Sequence, residues 1–271
     1  MKNADLRIAI AGLGAIGREL AQTLDGGGLP GCRLVAVSAR DQAKAHAFLR
    51  ELQGEVKLLA LADLAEVADI VVECAPAQLL PEILKPVIAA GKKAVVLSVG
   101  ALLEHMDLIE KARATGAQIM VPTGALIGLD AVTAAAEGKI HSVKMVTRKP
   151  PRGLQGAPLL EEQEIDISNL AEPLLLYDGS ARNAAKDFPA NLNVAIALSL
   201  AGLGPDQTKL QVWADPGVVR NTHTIEVDAD SASFSMTIQN IPSENPKTGR
   251  ITAKSVIALL RKLRAPLRVG T

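Results

Sequence analysis

Short apolar runs alternate with amphipathic stretches from the start of the chain to about residue 122. A continuous apolar run such as 6–11 is typical of a buried parallel strand, and apolar residues at helical spacing indicate helices that cover a sheet. The predicted strands are 6–11, 33–38, 57–61, 69–73, 93–99 and 118–121. The predicted helices follow the first strand to residue 24 and then cover 42–53, 62–67 (a helix or a turn), 80–90 and 101–115. This alternation predicts the α/β class, with an N-terminal Rossmann domain built on a doubly wound parallel sheet.

The pattern after residue 122 is that of a second, α+β domain. Residues 122–128 resemble a hinge, and the Pro- and Gly-rich stretch 149–158 predicts a loop. Predicted helices and strands here are 129–136, 140–148, 194–203, 209–214, 221–228 and 232–238, with 172–178 and 179–186 between them. The last three strands alternate in polarity, as in a half-exposed sheet. We therefore expect a dinucleotide-binding domain at 1–122 and a substrate and dimerisation domain at 123–244.

The C-terminal segment 245–271 predicts one more helix. Its apolar side chains are expected on one face, at Ile251, Leu259 and Leu263 together with Ser255. An amphipathic helix must bury such a stripe, and the second domain has other helices to cover its sheet. We therefore expect this helix to pack back on the Rossmann domain.

Two strands of the second domain carry several large apolar residues. These are Leu210, Val212 and Trp213 in one strand, and Phe234, Met236 and Ile238 in the other. This is more apolar surface than few helices are expected to cover, and a second copy of the sheet would bury it. The pattern predicts a homodimer formed face to face through this sheet.

Composition limits the possible partners. A chain of 271 residues with 48% hydrophobic residues is long enough for two domains with substantial cores. It has 29 basic and 29 acidic residues, so no overall positive charge attracts nucleic acid or an anionic membrane. Aromatic residues are only 2%, which argues against a platform for stacking nucleic-acid bases. We expect neither nucleic acid nor membrane as a partner.

Cysteine use and the absence of a leader pattern suggest a cytoplasmic protein. The two cysteines, Cys32 and Cys74, lie near predicted strands and are expected to be reduced and buried. Two cysteines form neither a disulfide framework nor a metal cluster, so no metal site is expected. The longest apolar stretch, 192–203, contains Asn193 and Ser199 and is too short to cross a bilayer. No signal peptide is recognised.

The first strand ends in a glycine-rich turn, Gly12-Leu13-Gly14-Ala15-Ile16-Gly17, which opens the first helix. In a dinucleotide-binding turn the first glycine permits the tight turn and the second lets the backbone approach the pyrophosphate. The third lets helix and strand pack closely, and the helix N-terminus attracts the phosphates. The alternative is a glycine turn that only packs. The strand before it and the helix after it favour a nucleotide site formed by Gly12, Gly14, Ala15, Ile16 and Gly17.

Two further strand ends affect the choice of cofactor. An NAD-specific site usually has an acid at the end of the second strand, but this chain has Ser38-Ala39-Arg40-Asp41, with no acid at the strand end itself. Arg40 can pair with the 2′-phosphate of NADP, or it is a solvated residue at a helix start. The small residue Ala75 lets a nicotinamide ribose lie across its strand end, or reflects tight packing. We expect both NAD and NADP to be used.

His223 is the best candidate for an acid or base among the four histidines. His46 and His105 fall on polar helix faces and His141 begins a strand, whereas Asn221 and other polar residues surround His223. A lone histidine on a strand is more often structural than catalytic, so the pattern alone leaves both readings open. Anionic groups of a substrate would also need donors, and the candidates are Arg148, Lys149, Lys247 and Thr248. The stretch 245–249 is equally consistent with a simple helix cap.

With these motifs in view, the chain resembles the L-aspartate dehydrogenase family. The stretches that carry the resemblance are GLGAIG, SVGAL, PTGALIGLDAV, VTRKPP, GSARNAAKDFPANLNVAIALSLAG, ADPGVVRNTHTIEV and NIPSENPKTGRITAKSVIALL. They cover most of the chain. One departure, Lys254 where the family often has leucine, falls in the last helix and affects little.

The resemblance implies a Rossmann domain, a mixed-sheet substrate domain and reversible NAD(P)-dependent oxidation of L-aspartate to iminosuccinate, which hydrolyses to oxaloacetate and ammonia. It further implies that His223 is the catalytic acid/base and that Ala125 and Asn193 contact the cofactor. Asn221, Lys247 and Thr248 are the expected substrate contacts. Two alternatives remain at this stage: another amino-acid-pathway reductase, similar to dihydrodipicolinate reductase or homoserine dehydrogenase, and a non-catalytic NAD-binding regulator.

Overall fold

The computed structural model describes residues 4–188, 192–242 and 249–270. The chain forms two compact units. The first contains the residues through Pro122 together with Ala253–Arg268, and the second contains Thr123–Thr252 and the last residues from Val269. Within the described ranges, no helix is both long and apolar enough to cross a membrane.

A six-stranded parallel sheet lies at the centre of the first unit. Its strands are β1 (Leu6–Ala11), β2 (Cys32–Ser38), β3 (Lys57–Leu58), β4 (Ile70–Glu73), β5 (Lys93–Val96) and β6 (Gln118–Met120). The strand order is β3-β2-β1-β4-β5-β6, so the direction of winding reverses between β1 and β4. This order confirms the predicted doubly wound parallel sheet, and in such sheets ligands bind at the carboxyl ends of the strands beside the reversal.

Helices connect these strands as the alternating pattern predicts. They are α1 (Ala15–Asp25), α2 (Gln42–Leu49), α3 (Leu64–Val67), α4 (Leu80–Ala89), α5 (Val99–Leu102) and α6 (Asp107–Thr115). The single helix predicted over 101–115 is wrong, because the segment contains α5 and α6 with a turn between them. In that turn the His105 N–H donates to Leu102 O at 3.0 Å, three residues back, which interrupts the regular helical ladder. The predicted helix 42–53 also ends earlier, at Leu49.

The second unit is built on a five-stranded mixed sheet, which confirms the predicted α+β architecture. Its strands are β7 (Ile140–Lys149), β8 (Leu174–Ser180), β9 (Lys209–Ala214), β10 (Asn221–Ala229) and β11 (Ser233–Asn240). The order is β11-β10-β7-β9-β8, and only the central β7/β9 pair is parallel. The helices of this unit are α7 (Leu129–Ala136), α8 (Pro158–Glu162), α9 (Ala181–Asp187) and α10 (Asn193–Ala201).

The core of the second unit lies on one face of its sheet, where helices cover it. Met145, Leu210 and Ile225 are completely buried there against helix residues such as Val132 and Leu198. Full burial of one such side chain stabilises the fold by about 1.5–3 kcal/mol. Packing of the helices against this apolar face of the sheet therefore contributes much of the stability of the second unit.

The apolar surface on which the dimer expectation rested is mostly covered within the unit itself. Phe234 and Met236 pair with Val227 and Ile225, so they point to the helix-covered face and pack against the core. Leu210 and Val212 are completely buried. The premise of surplus apolar surface therefore does not hold for Leu210, Val212, Phe234 and Met236, which the side-chain alternation directs inward, whereas Trp213 lies on the opposite face.

The last helix, α11 (Ile251–Arg264), contributes to the core of the first unit. Val256 and Leu260 are completely buried there, and Lys254 on the polar side forms an ion pair with Glu19 at 2.6 Å. The predicted stripe is partly wrong, because Ile251 is 42% exposed. The buried face is centred one position further along the helix, on Val256 and Leu260. The predicted Ser255 is buried, and the predicted Leu259 and Leu263 are partly buried against the same core.

Candidate active site

The glycine-rich turn joins the end of β1 to the start of α1. The Gly12 N–H donates to Ser38 O at 2.8 Å, and Gly12 has φ of 107°, which L side chains rarely adopt. A Cβ at Gly12 would lie 2.5 Å from Cys74 O, and one at Gly17 would lie 2.0 Å from Gly12 O. Both positions therefore require glycine for the turn to close between the helix and strands β1 and β4.

Gly14, the N-cap of α1, differs from the other two glycines of the turn. A Cβ built there meets nothing within 4 Å, so the space above its backbone is open. Gly14 lines a cavity of about 930 Å³ together with residues that follow β1, β2 and β4. An open glycine backbone at the start of a helix is the arrangement that accommodates a pyrophosphate. Ala15 and Ile16, in the first turn of α1, do not line this cavity.

Three basic residues, Arg18, Arg40 and Lys44, line the same cavity. The Arg18 guanidinium lies 5.1 Å from the centre of the Phe48 ring and donates to Leu13 O, which fixes its position. Arg40 is exposed and follows the end of β2.

One acid, Asp41, lies beside these basic residues, but helix α2 engages it. Asp41 accepts the Lys44 N–H at 3.0 Å as the helix cap and pairs with Lys44 Nζ at 3.3 Å. The backbone hydrogen bond from Lys44 is the main reason that the pKa of Asp41 is lowered. The cavity lining therefore combines the positive charges of Arg18 and Arg40 with one acid, Asp41, that already caps helix α2. This combination fits a ligand that carries phosphate. Arg40 was predicted from the sequence, whereas Arg18 and Lys44 were not among the predicted cofactor residues.

Ala75 lines the same cavity just after β4. Its neighbour Cys74 is held in place because the Cys74 N–H donates to Ala11 O at 2.8 Å. The small side chain keeps the strand end open.

Five polar side chains lie together at one end of the second sheet, on the face that helices cover. His223 on β10 is paired with Thr147 on β7, and Asn221 is paired with Asn240 on β11. Lys149 shares the face because residues two apart on a strand point the same way. None of these five residues is more than 5% exposed. We call this set, Thr147, Lys149, Asn221, His223 and Asn240, the polar row.

His223 is neutral over the physiological pH range. Burial, and secondarily the positive charge of Lys149, lower its pKa from 6.5 to about 3. Its Nδ1 lies 3.2 Å from Thr147 Oγ1, which holds the ring in one orientation. A neutral imidazole with one nitrogen held by a hydroxyl can use the other nitrogen as a proton acceptor or donor.

Asn240 connects the polar row to the turn that contains Ala125. Its Nδ2 donates to Ala125 O at 2.8 Å, which identifies the other amide atom as the oxygen. That oxygen, Oδ1, is buried and accepts no hydrogen bond from the residues that the structure describes. A buried acceptor of this kind can take an N–H or O–H group of a ligand.

Arg148 does not belong to the polar row. It alternates with Thr147 and Lys149 and therefore lies on the opposite face of the sheet. There it forms an ion pair with Asp215 at 3.0 Å and lies 4.7 Å from the centre of the Trp213 ring. Its candidacy as a substrate donor is wrong, since its partners are on the other side of the sheet.

The remaining predicted site residues are placed as follows. Asn193 is the first residue of α10 and is half-buried, in the same unit as the polar row. Lys247 and Thr248 lie outside the described residues. In the part of the chain that the structure describes, no group of three or more His, Cys, Asp or Glu side chains is arranged to hold a metal ion.

The sequence analysis singled out two members of the polar row, His223 and Asn221. Lys149 was only one of several candidates, and Thr147 and Asn240 were missed. The alternation of β7 contains the missing information, because Thr147 and Lys149 occupy positions in phase with the buried Val143 and Met145. Polar residues on a core-facing phase indicate a site or a buried network.

Comparison with known proteins places both units. The family model described as "Aspartate dehydrogenase, C-terminal" matches residues 130–263. The model described as "Homoserine dehydrogenase, NAD binding domain" matches residues 12–122. The second match covers the glycine-rich turn and all strands of the first unit after β1, and it supports the expected nicotinamide dinucleotide cofactor.

Relatives match over nearly the whole chain. L-aspartate dehydrogenase 3 of Bordetella bronchiseptica is 65% identical over 267 residues, covering 98% of each chain. L-aspartate dehydrogenase of Bradyrhizobium diazoefficiens is 62% identical over 269 residues, covering 99% of this chain and 95% of the relative. The crystal structure of aspartate dehydrogenase from Thermotoga maritima has the same fold, with a TM-score of 0.74 at 22% identity over 98% of this chain and 99% of that one. The chain therefore belongs to the aspartate dehydrogenase family, as its motifs suggested.

Proposed function

We propose that this protein catalyses the reversible, NAD(P)-dependent oxidation of L-aspartate to iminosuccinate, which hydrolyses to oxaloacetate and ammonia. The observation that carries the proposal is a neutral, buried His223 held by Thr147 beside a buried Lys149, in a chain whose other unit has a dinucleotide-binding turn. This set supplies a base and a cation for an anionic amino acid. Relatives at more than 60% identity carry the name of this activity.

His223 acts as the acid/base. The α-ammonium group of aspartate must lose a proton before the Cα–N bond gains double-bond character, and His223 Nε2 accepts that proton. The bound nicotinamide supplies the hydride acceptor. In the reverse direction His223 returns the proton to nitrogen. Thr147 keeps the ring oriented in both directions because it holds Nδ1.

Lys149 and the asparagines of the polar row bind the substrate. Lys149 lies on the same face of the sheet as His223, and its positive charge attracts a carboxylate of the substrate. Asn221 is placed to donate to a carboxylate, and Asn240 Oδ1 to accept from the amino group. We assign Lys247 and Thr248 to the same carboxylates.

Both NAD and NADP serve as cofactor. Gly12 and Gly14 line the cavity at the pyrophosphate, and Ala75 lies beside the ribose. Ala15, Ile16 and Gly17 complete the turn. Arg40, with Lys44 nearby, binds the 2′-phosphate of NADP. The end of β2 itself carries no acid that would repel this phosphate, so NADP is accepted as well as NAD. By resemblance, Ala125 and Asn193 also contact the cofactor.

We further propose that residues 1–122 act as the dinucleotide domain, that 123–244 form the substrate domain, and that the protein is a cytoplasmic homodimer. The apolar surface available to a dimer interface is smaller than the sequence predicted. Leu175, 39% exposed, pairs with Trp213 on the outer face of the second sheet and offers a small apolar patch. The rest of that face is mostly polar.

A panel of amino acids tests the function. Purified protein is incubated with each amino acid and either NAD or NADP, and reduced cofactor is followed by its absorbance. We expect turnover with aspartate, and little with asparagine or glutamate. Turnover with a different amino acid only would assign another substrate, and binding of cofactor without any turnover would favour a non-catalytic regulator.

A further inference from the structure

Glu73, the last residue of β4, is a buried carboxylate that the proposed chemistry does not use. It is 1% exposed and lies between Ala11 of β1 and Val96 of β5 in the sheet. Its side chain reaches across to the segment after β5. Oε2 accepts the N–H groups of Leu97 at 3.0 Å and Ser98 at 2.8 Å, and Oε1 accepts the Ser98 hydroxyl at 3.0 Å.

These contacts fix two segments with one side chain. The N–H groups of Leu97 and Ser98 lie beyond the end of β5, and the Glu73 carboxylate accepts both. The backbone N–H of Ala75, after β4, is also directed at the Glu73 carboxylate. Burial raises the pKa of Glu73, and the hydrogen bonds from Ser98, Leu97 and Ala75 oppose that rise. An acceptor for several buried N–H groups is costly to remove, because each group would lose its partner.

The segments that Glu73 joins lie at the carboxyl edge of the sheet, next to the point where the winding reverses. The cavity described above is lined by residues that follow β1 and β2, on the adenosine side of a doubly wound site, and by residues such as Ala75 that follow β4, at the border with the other side. The other half of such a site lies over the strands on the far side of the reversal, here β4 and β5.

We propose that Glu73 is a positioning residue for the nicotinamide half of the dinucleotide. It holds the backbone after β4, at Ala75, in register with the backbone after β5, at Ser98. The nicotinamide ribose is then supported by a preformed surface. This inference rests only on the dinucleotide-binding part of the proposed function, and not on the identity of the amino acid.

Strand β4 supplies a matched control. Asp69 immediately precedes β4, at its opposite end, and accepts the Arg7 N–H at 2.8 Å and the Arg7 guanidinium at 2.6 Å. Glu73 is four positions further along the chain, about 13 Å away at the usual rise per residue. Glu73→Leu and Asp69→Leu therefore each remove one carboxylate that links β4 to its surroundings, but only Glu73 lies at the cofactor edge.

The test measures the affinities of NAD, NADP and ADP by calorimetry. ADP contains the adenosine and the pyrophosphate but no nicotinamide, so it reports on the adenosine half of the site alone. We expect Glu73→Leu to weaken NAD and NADP binding by about tenfold or more, the usual effect of losing a charge-assisted hydrogen bond. ADP binding should stay within about twofold. Glu73→Gln, which keeps one acceptor oxygen, should restore most of the affinity. Asp69→Leu should leave all three affinities near those of the unchanged protein, even though it lowers the melting temperature.

Three results would overturn the proposal: equal weakening of ADP and NAD by Glu73→Leu, unchanged NAD affinity, or the same loss in Asp69→Leu. If Glu73→Leu does not fold, Ser98→Ala removes the hydroxyl donor alone and should weaken NAD, but not ADP, by about threefold. Turnover of aspartate by the unchanged protein is measured separately. Its absence would refute the proposed substrate without affecting this binding comparison.

Discussion

The buried, neutral His223 makes a specific prediction about stability in acid. Its pKa is about 3 in the folded protein and about 6.5 in the unfolded chain. The unfolded chain therefore binds a proton below pH 6.5 that the folded protein does not bind until about pH 3. Stability from this residue is fully present above pH 6.5 and is lost progressively as pH falls towards 3.

The magnitude at an accessible pH follows from these two values. At pH 5, about 1.5 units below its pKa, the histidine of the unfolded chain is almost fully protonated, while the histidine of the folded protein stays neutral. Between pH 7 and pH 5 this difference lowers the free energy of unfolding by about 2 kcal/mol. His223→Gln has no titrating group there. The variant should lose about 2 kcal/mol less free energy of unfolding than the unchanged protein over this interval.

Trp213 provides the assay. It is the only tryptophan of the chain and lies on β9, in the same sheet as His223, so its fluorescence reports on the unfolding of the second unit. Urea unfolding is measured at pH 7 and at pH 5 for the unchanged protein, for His223→Gln and for His141→Gln as an exposed-histidine control. Equal acid losses in the unchanged protein and His223→Gln would refute a buried, neutral His223.

Three other predictions concern cofactor and assembly. Gly14→Val should weaken NAD and NADP binding by about tenfold or more in calorimetry, because the side chain fills the space of the pyrophosphate, while the melting temperature stays unchanged since nothing lies within 4 Å of the added Cβ. Arg40→Ala should raise the Kd of NADP by about tenfold and that of NAD by less than twofold, as expected for loss of a charged phosphate contact; equal losses would remove Arg40 from the 2′-phosphate site. Light scattering at micromolar concentration should give twice the monomer mass of 28.3 kDa, and a monomer mass would end the dimer proposal.

The first unit was largely predictable because its signals are local. The run of β1, the glycines after it and the start of α1 are contiguous, and each residue type has a backbone reason for its position. The local sequence pattern did not reveal the 3₁₀-type turn between α5 and α6, because the residues of that turn also fit a helical pattern. It also placed the buried face of α11 one position away, because Ile251 looks as apolar as Val256 until the neighbouring core is known.

The polar row was only half predictable because it is made by long-range pairing. His223 and Thr147 are 76 residues apart, and only the register of β7 against β10 brings them together. A shift of that register by one residue would put Arg148, not Thr147, beside the histidine ring. The same alternation turned Phe234 and Met236 inward and left only part of the apolar surface on which the dimer had been expected, around Trp213.

The role of His223 as the acid/base is the central claim, and one kinetic comparison tests it most directly. Initial rates of aspartate-dependent reduction of NAD and NADP are measured at saturation for the unchanged protein and for His223→Asn, with cofactor affinity determined on the same samples. The account predicts turnover lowered by about 10² to 10⁴, the usual contribution of a positioned acid or base, with cofactor Kd within about twofold. Turnover of His223→Asn close to that of the unchanged protein would contradict it.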